Sequence, residues 1–255
     1  MAARASLTDF PRPSVAVDVA VLTVRDDRLQ VVVVDHALGG SALPGTFLHE
    51  GVVLAEAAAR ALAEKAGLRR VPFTQLHVFD RLDRDDRGWV LSVGHSAAVR
   101  SERLPAGTGL VPIQGGRAAG DLLFDHAEIV RLAVDRLRRD YATDVDPAGL
   151  LGERFTVFRL RRLYEAVFER PLMKDTFRRL VVPNLDATGE YGTDYGRPAE
   201  IYRRTDRTRL TPKAWATLTA PAGAVRVADA ATSAGAATSA DATASARVRV
   251  RRSDR

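Results

Sequence analysis

The chain of 255 residues contains no cysteine. That absence excludes disulfides and thiolate metal sites, and it fits a reducing compartment. Lysine stands only at Lys65, Lys174 and Lys213, so arginine carries nearly all remaining positive charge. No apolar run approaches the ~20 residues that a membrane helix needs. The opening stretch MAARASLTDFPRP has no apolar signal core, which predicts a cytoplasmic protein with no membrane partner. What is present describes a soluble globular protein able to bury a core, with 46% hydrophobic and 27% charged residues. The length admits one large domain or two small ones.

The net charge of +6 is unevenly placed. Residues 153–209 hold thirteen Arg/Lys against nine Asp/Glu, a net of +4, and residues 210–255 hold seven against three, again +4. The first 152 residues therefore carry 18 against 20, a net of −2. Basic character concentrates in the C-terminal part, where a polyanionic partner is expected.

Two β-branched runs, 15–24 and 29–35, flank RDDR and read as a hairpin. A short extended run at 46–49 precedes an Ala-rich helix over 54–65, which Gly67 stops. Further strands are expected at 76–81 and 89–99, joined by the charged loop LDRDDRG, and then a long helix over 121–141. Strands with one inserted helix and one closing helix make an α+β domain. In the next segment Leu160, Leu163, Tyr164, Val167 and Phe168 recur at one-sided helical spacing. Pro171 opens a second helix with Met173, Phe177, Leu180 and Val181 inward and Lys174, Thr176, Arg178 and Arg179 outward. Extended runs at 185–191 and 200–204 around GTDYGRP complete a helix, helix, hairpin outline. After residue 219 the chain turns to Ala, Thr, Ser and Gly, which cannot bury a core and predicts disorder, ending in the basic RVRVRRSDR.

The stretch LPGTFLHEGVVLAEAAARALAEKAGL resembles a Nudix box, in which helix glutamates hold divalent cations that polarise a diphosphate and activate water. Aligned on Arg60, Gly67 and Leu68, it has Val52, Ala61 and Lys65 where the pattern has glutamates, and it keeps only Glu64. Ala61, Glu64 and Lys65 share one helix face. One carboxylate beside an ammonium group is too poor a ligand supply for tight Mg²⁺ binding. Neither a catalytic residue, a metal nor a cofactor is expected. Arg60 and Glu64 serve either as ligand contacts or as an i, i+4 pair that steadies the helix.

The box joins other matches over about 13–204: VAVDVAVLTV with LQVVVVD, QLHVFDRLDRDDRGWVLSVGHSA, LLFDHAEI, FTVFRLRRLYEAVFERPLMKDTFRRLVV and ATGE followed by GRPAEIYRR. Together they resemble the Nudix-related transcriptional regulator family. The resemblance implies a Nudix-like α/β/α sandwich over 13–145, a winged helix-turn-helix over 146–210 and a disordered basic tail over 220–255. It implies a homodimeric DNA-binding regulator, such as a repressor of NAD metabolism, that binds an inverted-repeat operator and senses ADP-ribose or a related metabolite. Lys174, Thr176, Arg178, Arg179 and the wing residue Arg197 are then the DNA contacts, the arginines being suited to reading guanine. Phe47, Arg60, Glu64, Phe79, Arg84 and Arg87 are the ligand candidates, although Arg84 and Arg87 read equally as ion pairs with neighbouring aspartates. The alternatives are a hydrolase with residual activity on nucleoside diphosphate derivatives, a sensor of sugar phosphates that controls sugar catabolism, and a ligand-free module that binds protein.

Overall fold

Everything in the N-terminal half is arranged about β1 (Ser14–Arg25), whose residues from Ala16 to Thr23 are all buried. A strand covered on both faces reads as a near-continuous apolar run, and SVAVDVAVLTVR is one apart from Asp18. It lies parallel to β6 (Val90–Ala98) along its length, from Ser14 opposite Val90 to Leu22 opposite Ala98. On its other edge it is shared. The C-terminal end pairs with β2 (Arg28–Asp35), and Ala16 to Asp18 pair with β4 (Gly45–Phe47). The hairpin turn uses Asp26 and Asp27, both left-handed with φ of 51° and 57°. That is the geometry that matches strand twist, and aspartate tolerates it.

The sheet order is β5-β6-β1-β2-β7-β8, with β5 at Phe73–Phe79, β7 at Gly109–Gln114 and β8 at Arg117–Ala118. The two-residue β3 (Ser41–Ala42) adds to the end of β2. Helix α1 (Leu54–Lys65) packs Ala57, Ala58 and Leu62 against Val17, Val19, Val21 and Val32. Alternate β1 residues face the other way. There α2 (His126–Thr143) covers the sheet with Ile129, Val130, Ala133, Val134 and Leu137, and Asp18 of β1 meets His126. Helix, sheet and helix form the expected sandwich of an α+β protein. Helix α1 ends as the sequence predicts: Gly67 is left-handed at φ 65°, and the Leu68 N–H returns to the Leu62 carbonyl at 2.9 Å.

Several boundaries move for identifiable reasons. The long helix begins at His126 rather than near 121, because Leu123 donates to the Ser41 carbonyl and Phe124 turns left-handed at φ 58°. Strands β7 and β8 lie where no strand is expected. Pro112 argues against a strand, but β7 sits near the sheet edge, flanked outside only by two residues. The expected run at 46–49 is the strand Gly45–Phe47.

The second half is a winged helix. Its small sheet has the order β10-β11-β9, with β9 at Arg154–Thr156, β10 at Leu185–Asp194 and β11 at Arg197–Arg204. Helix α3 (Val157–Phe168) starts at Thr156, whose hydroxyl accepts the Arg159 N–H, and α4 is Lys174–Val181. Tyr164 anchors the core, with its ring centroid 5.6 Å from Tyr141 and 5.4 Å from Phe177. Met173 is not inward as periodicity suggests. It is 70% exposed, because it caps a helix that starts one residue later and its backbone is extended, and Leu172 is buried instead.

The computed structural model describes residues 9–194, 196–205 and 209–219. The tail expected to be disordered lies outside them. Residues up to Pro212 form one compact unit, and α5 (Pro212–Thr219) opens a second. Among the described residues no helix is long and apolar enough to cross a membrane.

Gly45 is the tightest point of the first half, since a Cβ there would lie 1.9 Å from Asp18 Oδ1 and 2.9 Å from the Val17 carbonyl oxygen. Gly45→Ala is therefore expected to cost at least ~2 kcal/mol, read as a drop in chemical-denaturation midpoint. An unchanged midpoint would refute the close approach.

Candidate functional site

A buried carboxylate in an apolar strand must be paired, and Asp18 is paired on several sides. The Ser92 hydroxyl donates to Asp18 Oδ2 at 2.5 Å, His126 Nε2 lies 3.4 Å from Oδ1, and Arg84 Nη2 lies 3.9 Å away. His126 Nδ1 accepts the Leu43 N–H at 2.9 Å, which puts the ring proton on Nε2, facing Asp18. Burial raises the Asp18 carboxyl, but His126, Ser92 and Arg84 outweigh it and hold the group below the usual carboxylate range. Arg84 is itself buried and donates to Asp125 through Nε and Nη2 at 3.0 and 2.7 Å. This set closes the floor of a cleft.

Above it lies a cavity of about 70 Å³, whose lining includes Thr46, Phe47, Lys65, Arg87 and Phe124. The Arg87 guanidinium lies over both rings, 5.6 Å from the Phe47 centroid and 5.4 Å from the Phe124 centroid. Its Nε and Nη2 donate to Asp85 at 2.8 and 2.7 Å. Phe124 is braced edge-on by His36 and His126 at 5.4 and 5.3 Å. Lys65 and His36 also line an adjoining open groove of about 730 Å³, bounded by residues 32–37, 65–67 and 105–109. A separate cavity of about 380 Å³ lies by Phe73, Arg100, Arg103 and Arg136. It has more room, but its lining lacks the paired aromatic faces, so the smaller cleft is the better candidate for a planar ligand.

Of the residues read from sequence as ligand candidates, Phe47, Arg84 and Arg87 line the cleft, whereas Arg60, Glu64 and Phe79 lie outside its lining. Phe79 is buried against Gly94. Arg60 has a buried Nη2 without a hydrogen-bond partner, and none of the ion pairs among the described residues joins it to Glu64. Arg87 makes the local aspartate pair that was one of its two readings, while the pairing of Arg84 is long-range. Sequence reasoning missed Asp18, Phe124 and His126. A lone aspartate within VAVDVAVLTV was the available signal, since an unpaired charge cannot persist there.

The second candidate surface is on the winged helix. Lys174, Arg178 and Arg179 are exposed along α4, Thr176 is half-buried, and Phe177 and Val181 hold the opposite face to the core. Arg178 also lies beside the Tyr202 hydroxyl of β11. Arg197 is exposed where the wing turns, next to Gly196 with φ 78°.

The polar contacts that connect the halves include three groups. Arg162 of α3 donates to Asp27 at the β1–β2 turn, with the shorter contact at 2.8 Å. Glu169, the left-handed residue ending α3, accepts the Gly115 and Gly116 N–H groups at 2.8 Å each and pairs with Arg138 of α2. Fully buried Asp146 accepts the Tyr141 hydroxyl at 2.6 Å and the Leu150 N–H at 2.8 Å, and Arg204 of the wing donates to its carbonyl at 2.7 Å.

Comparison with known proteins agrees with this division. Residues 147–204 match the family described as the NrtR DNA-binding winged helix domain. The chain is 27% identical over 214 residues to the ADPR responsive transcriptional repressor NtrR of Acinetobacter baylyi, covering 77% of this chain and 84% of that protein. It is similar to the crystal structure of Shewanella oneidensis NrtR complexed with a 27mer DNA, with a TM-score of 0.65 and 28% identity over 77% of this chain and 97% of that one. A MutT/nudix family protein from Enterococcus faecalis shares the fold at a TM-score of 0.59 and 23% identity, over 79% of this chain and 94% of that one. The chain thus couples a Nudix-like domain to an NrtR-type winged helix, as the sequence resemblance implies.

Buried His95 donates from Nδ1 to the Val93 carbonyl at 3.0 Å. Burial lowers its pKa, against smaller upward effects of that carbonyl and of Asp18. Below about pH 6.5 the unfolded imidazole takes up a proton that the folded one resists, so stability falls as the pH drops. The melting temperature is expected to decrease between pH 7.5 and 5.5, with a shallower slope in His95→Gln. An equal slope in both proteins would place the titration elsewhere.

Proposed function

We propose that the chain is a DNA-binding transcriptional repressor whose Nudix-like domain senses ADP-ribose instead of hydrolysing it. The observation that carries this reading is the joining, within one compact unit, of an exposed basic α4 to a cleft lined by Phe47, Phe124, Lys65 and Arg87. A relative of nearly the same extent is an ADPR responsive repressor, and a similar protein has been crystallised with DNA. A regulator must hold its effector without consuming it. Val52 and Ala61 here pack into the core around α1, and Lys65 brings a positive charge to the cleft, so the carboxylate supply for a catalytic metal is lost.

In this reading α4 enters a major groove, with Arg178 and Arg179 toward base edges and Lys174 and Thr176 toward phosphates, while Arg197 of the wing holds the backbone or the minor groove. A cytoplasmic homodimer would place two such helices on an inverted repeat. Genes of NAD metabolism are the natural targets of an ADP-ribose sensor. The ligand acts by binding one arrangement of the two halves better than another, and the contacts of Glu169, Asp146 and Arg162 are where that arrangement is set.

Operator binding by fluorescence anisotropy tests the DNA half. Arg178→Ala and Arg179→Ala are each expected to weaken it by ~1–3 kcal/mol for an arginine that reads a base. Absence of any operator preference, or no change in the double variant, would overturn the regulator. Turnover of ADP-ribose that Glu64→Gln abolishes would instead favour a hydrolase. For the coupling, Glu169→Ala should leave ADP-ribose and DNA binding separately intact while the effect of one on the other shrinks. A coupling factor equal to wild type would remove Glu169 from the route.

A further inference from the structure

The cleft is narrow as it stands, about 70 Å³, whereas ligand sites usually measure about 300–1,000 Å³. If the cleft takes ADP-ribose, as proposed above, a side chain must leave it. Arg87 is the one suited to do so. It sits on the loop between β5 and β6, its side chain is 44% exposed, and the guanidinium lies over Phe47 and Phe124. It presents a flat, delocalised face to two rings and an N–H edge to a buried carboxylate, Asp85. A purine base with an exocyclic amino group offers the same combination: a flat face for stacking and an N–H donor for an acidic acceptor.

The chemistry next to that seat is cationic. Lys65 and His36 line both the cleft and the adjoining groove of about 730 Å³, so they stand where a ligand too long for the cleft must pass. His36 Nδ1 accepts the Leu38 N–H at 3.2 Å, which leaves Nε2 as the donor. Lys65 occupies the position of a metal-binding glutamate in the Nudix pattern, and no shielding carboxylate is paired with it among the described ion pairs.

We infer that Arg87 is a built-in placeholder for adenine. In the ligand-bound protein the base takes its seat between Phe47 and Phe124 and donates to Asp85, and the diphosphate lies at Lys65 and His36 with no divalent cation. The ammonium group supplies the charge that a metal supplies in a Nudix hydrolase. The remaining ribose then extends into the open groove. A seat already filled by Arg87 costs apparent affinity by the fraction of protein in which it is vacant.

The inference rests on the ADP-ribose reading, and calorimetric titration of the full chain with ADP-ribose separates the two. Titrations are run in Mg²⁺ and in EDTA, on wild type and on Lys65→Ala, Arg87→Ala and Phe124→Leu. Equal affinity in both buffers is expected. Lys65→Ala should bind roughly tenfold more weakly, the loss of one charge-assisted contact. Phe124→Leu should also weaken, while Arg87→Ala binds more tightly than wild type. Lys65 is exposed, so its replacement does not threaten folding, whereas Arg87→Ala strips the buried Asp85 of its guanidinium partner. Melting temperatures are therefore measured alongside, and Arg87→Lys, which keeps a charge near Asp85 but gives up the flat face over the rings, is also titrated and should likewise bind more tightly than wild type. A requirement for Mg²⁺, full affinity in Lys65→Ala, or weaker binding in Arg87→Ala would overturn this inference and leave ADP-ribose as the effector. No binding in either buffer would overturn the effector itself and the placeholder with it.

Discussion

The relation of the two halves depends on one buried carboxylate. Asp146 is fully shielded from solvent, and its first need is compensation, because burial raises the carboxyl above its ordinary range. The Tyr141 hydroxyl, the Leu150 and Leu151 N–H groups and the Arg204 guanidinium supply it in part, and burial still outweighs them and leaves the carboxyl above its ordinary range. Those partners come from the end of α2, from the connecting segment and from the last residue of the wing strand β11. The joint combines these hydrogen bonds with the packing of Tyr141 on Tyr164. Removing one partner of such a buried charge costs about 3–5 kcal/mol, while exposed pairs such as that between Arg162 and Asp27 contribute about 0–1 kcal/mol. Asp146 therefore contributes more to holding the halves together than the surface pairs do.

A second buried carboxylate organises the Nudix-like domain. Asp18 lies in the strand that holds the first sheet together, and its partners are drawn from β6, from the loop carrying Arg84 and from the start of α2. The loop carrying Arg84 and the start of α2 also border the cleft. Helix α2 links the two carboxylates in space, because His126 opens that helix and Tyr141 lies near its end, hydrogen-bonded to Asp146. Helix α2 thus touches the cleft floor at one end and the joint at the other. Its two ends meet carboxylates that tolerate little misplacement, which is how a small shift is kept from dissipating.

Much of the fold was legible from local patterns. The hairpin at RDDR, helix α1 with its glycine stop, and both helices of the winged unit follow from periodicity and turn chemistry. The cleft was less so. Phe47 and Arg87 could be chosen by residue type, but their meeting at one point with Phe124 depends on three chain segments far apart in sequence. The start of α2 was misplaced for a related reason. LLFDH has helix-compatible residues, yet pairing with Ser41 keeps its first part extended, and a local pattern carries no record of a partner eighty residues away.

By itself the sequence determined the class of each half, the basic face of α4 and the presence of Ala61 and Lys65 beside Glu64, because all of these are properties of neighbouring residues read along one element. Only the tertiary structure decided which charges are free. Arg84 is consumed by Asp125, Arg87 is held by Asp85 between two rings, and Lys65 is left facing the cleft. Whether an ionic group binds a ligand or supports the fold depends on what lies within a few ångströms of it, and distance in space is set by chain crossings that no local spacing encodes.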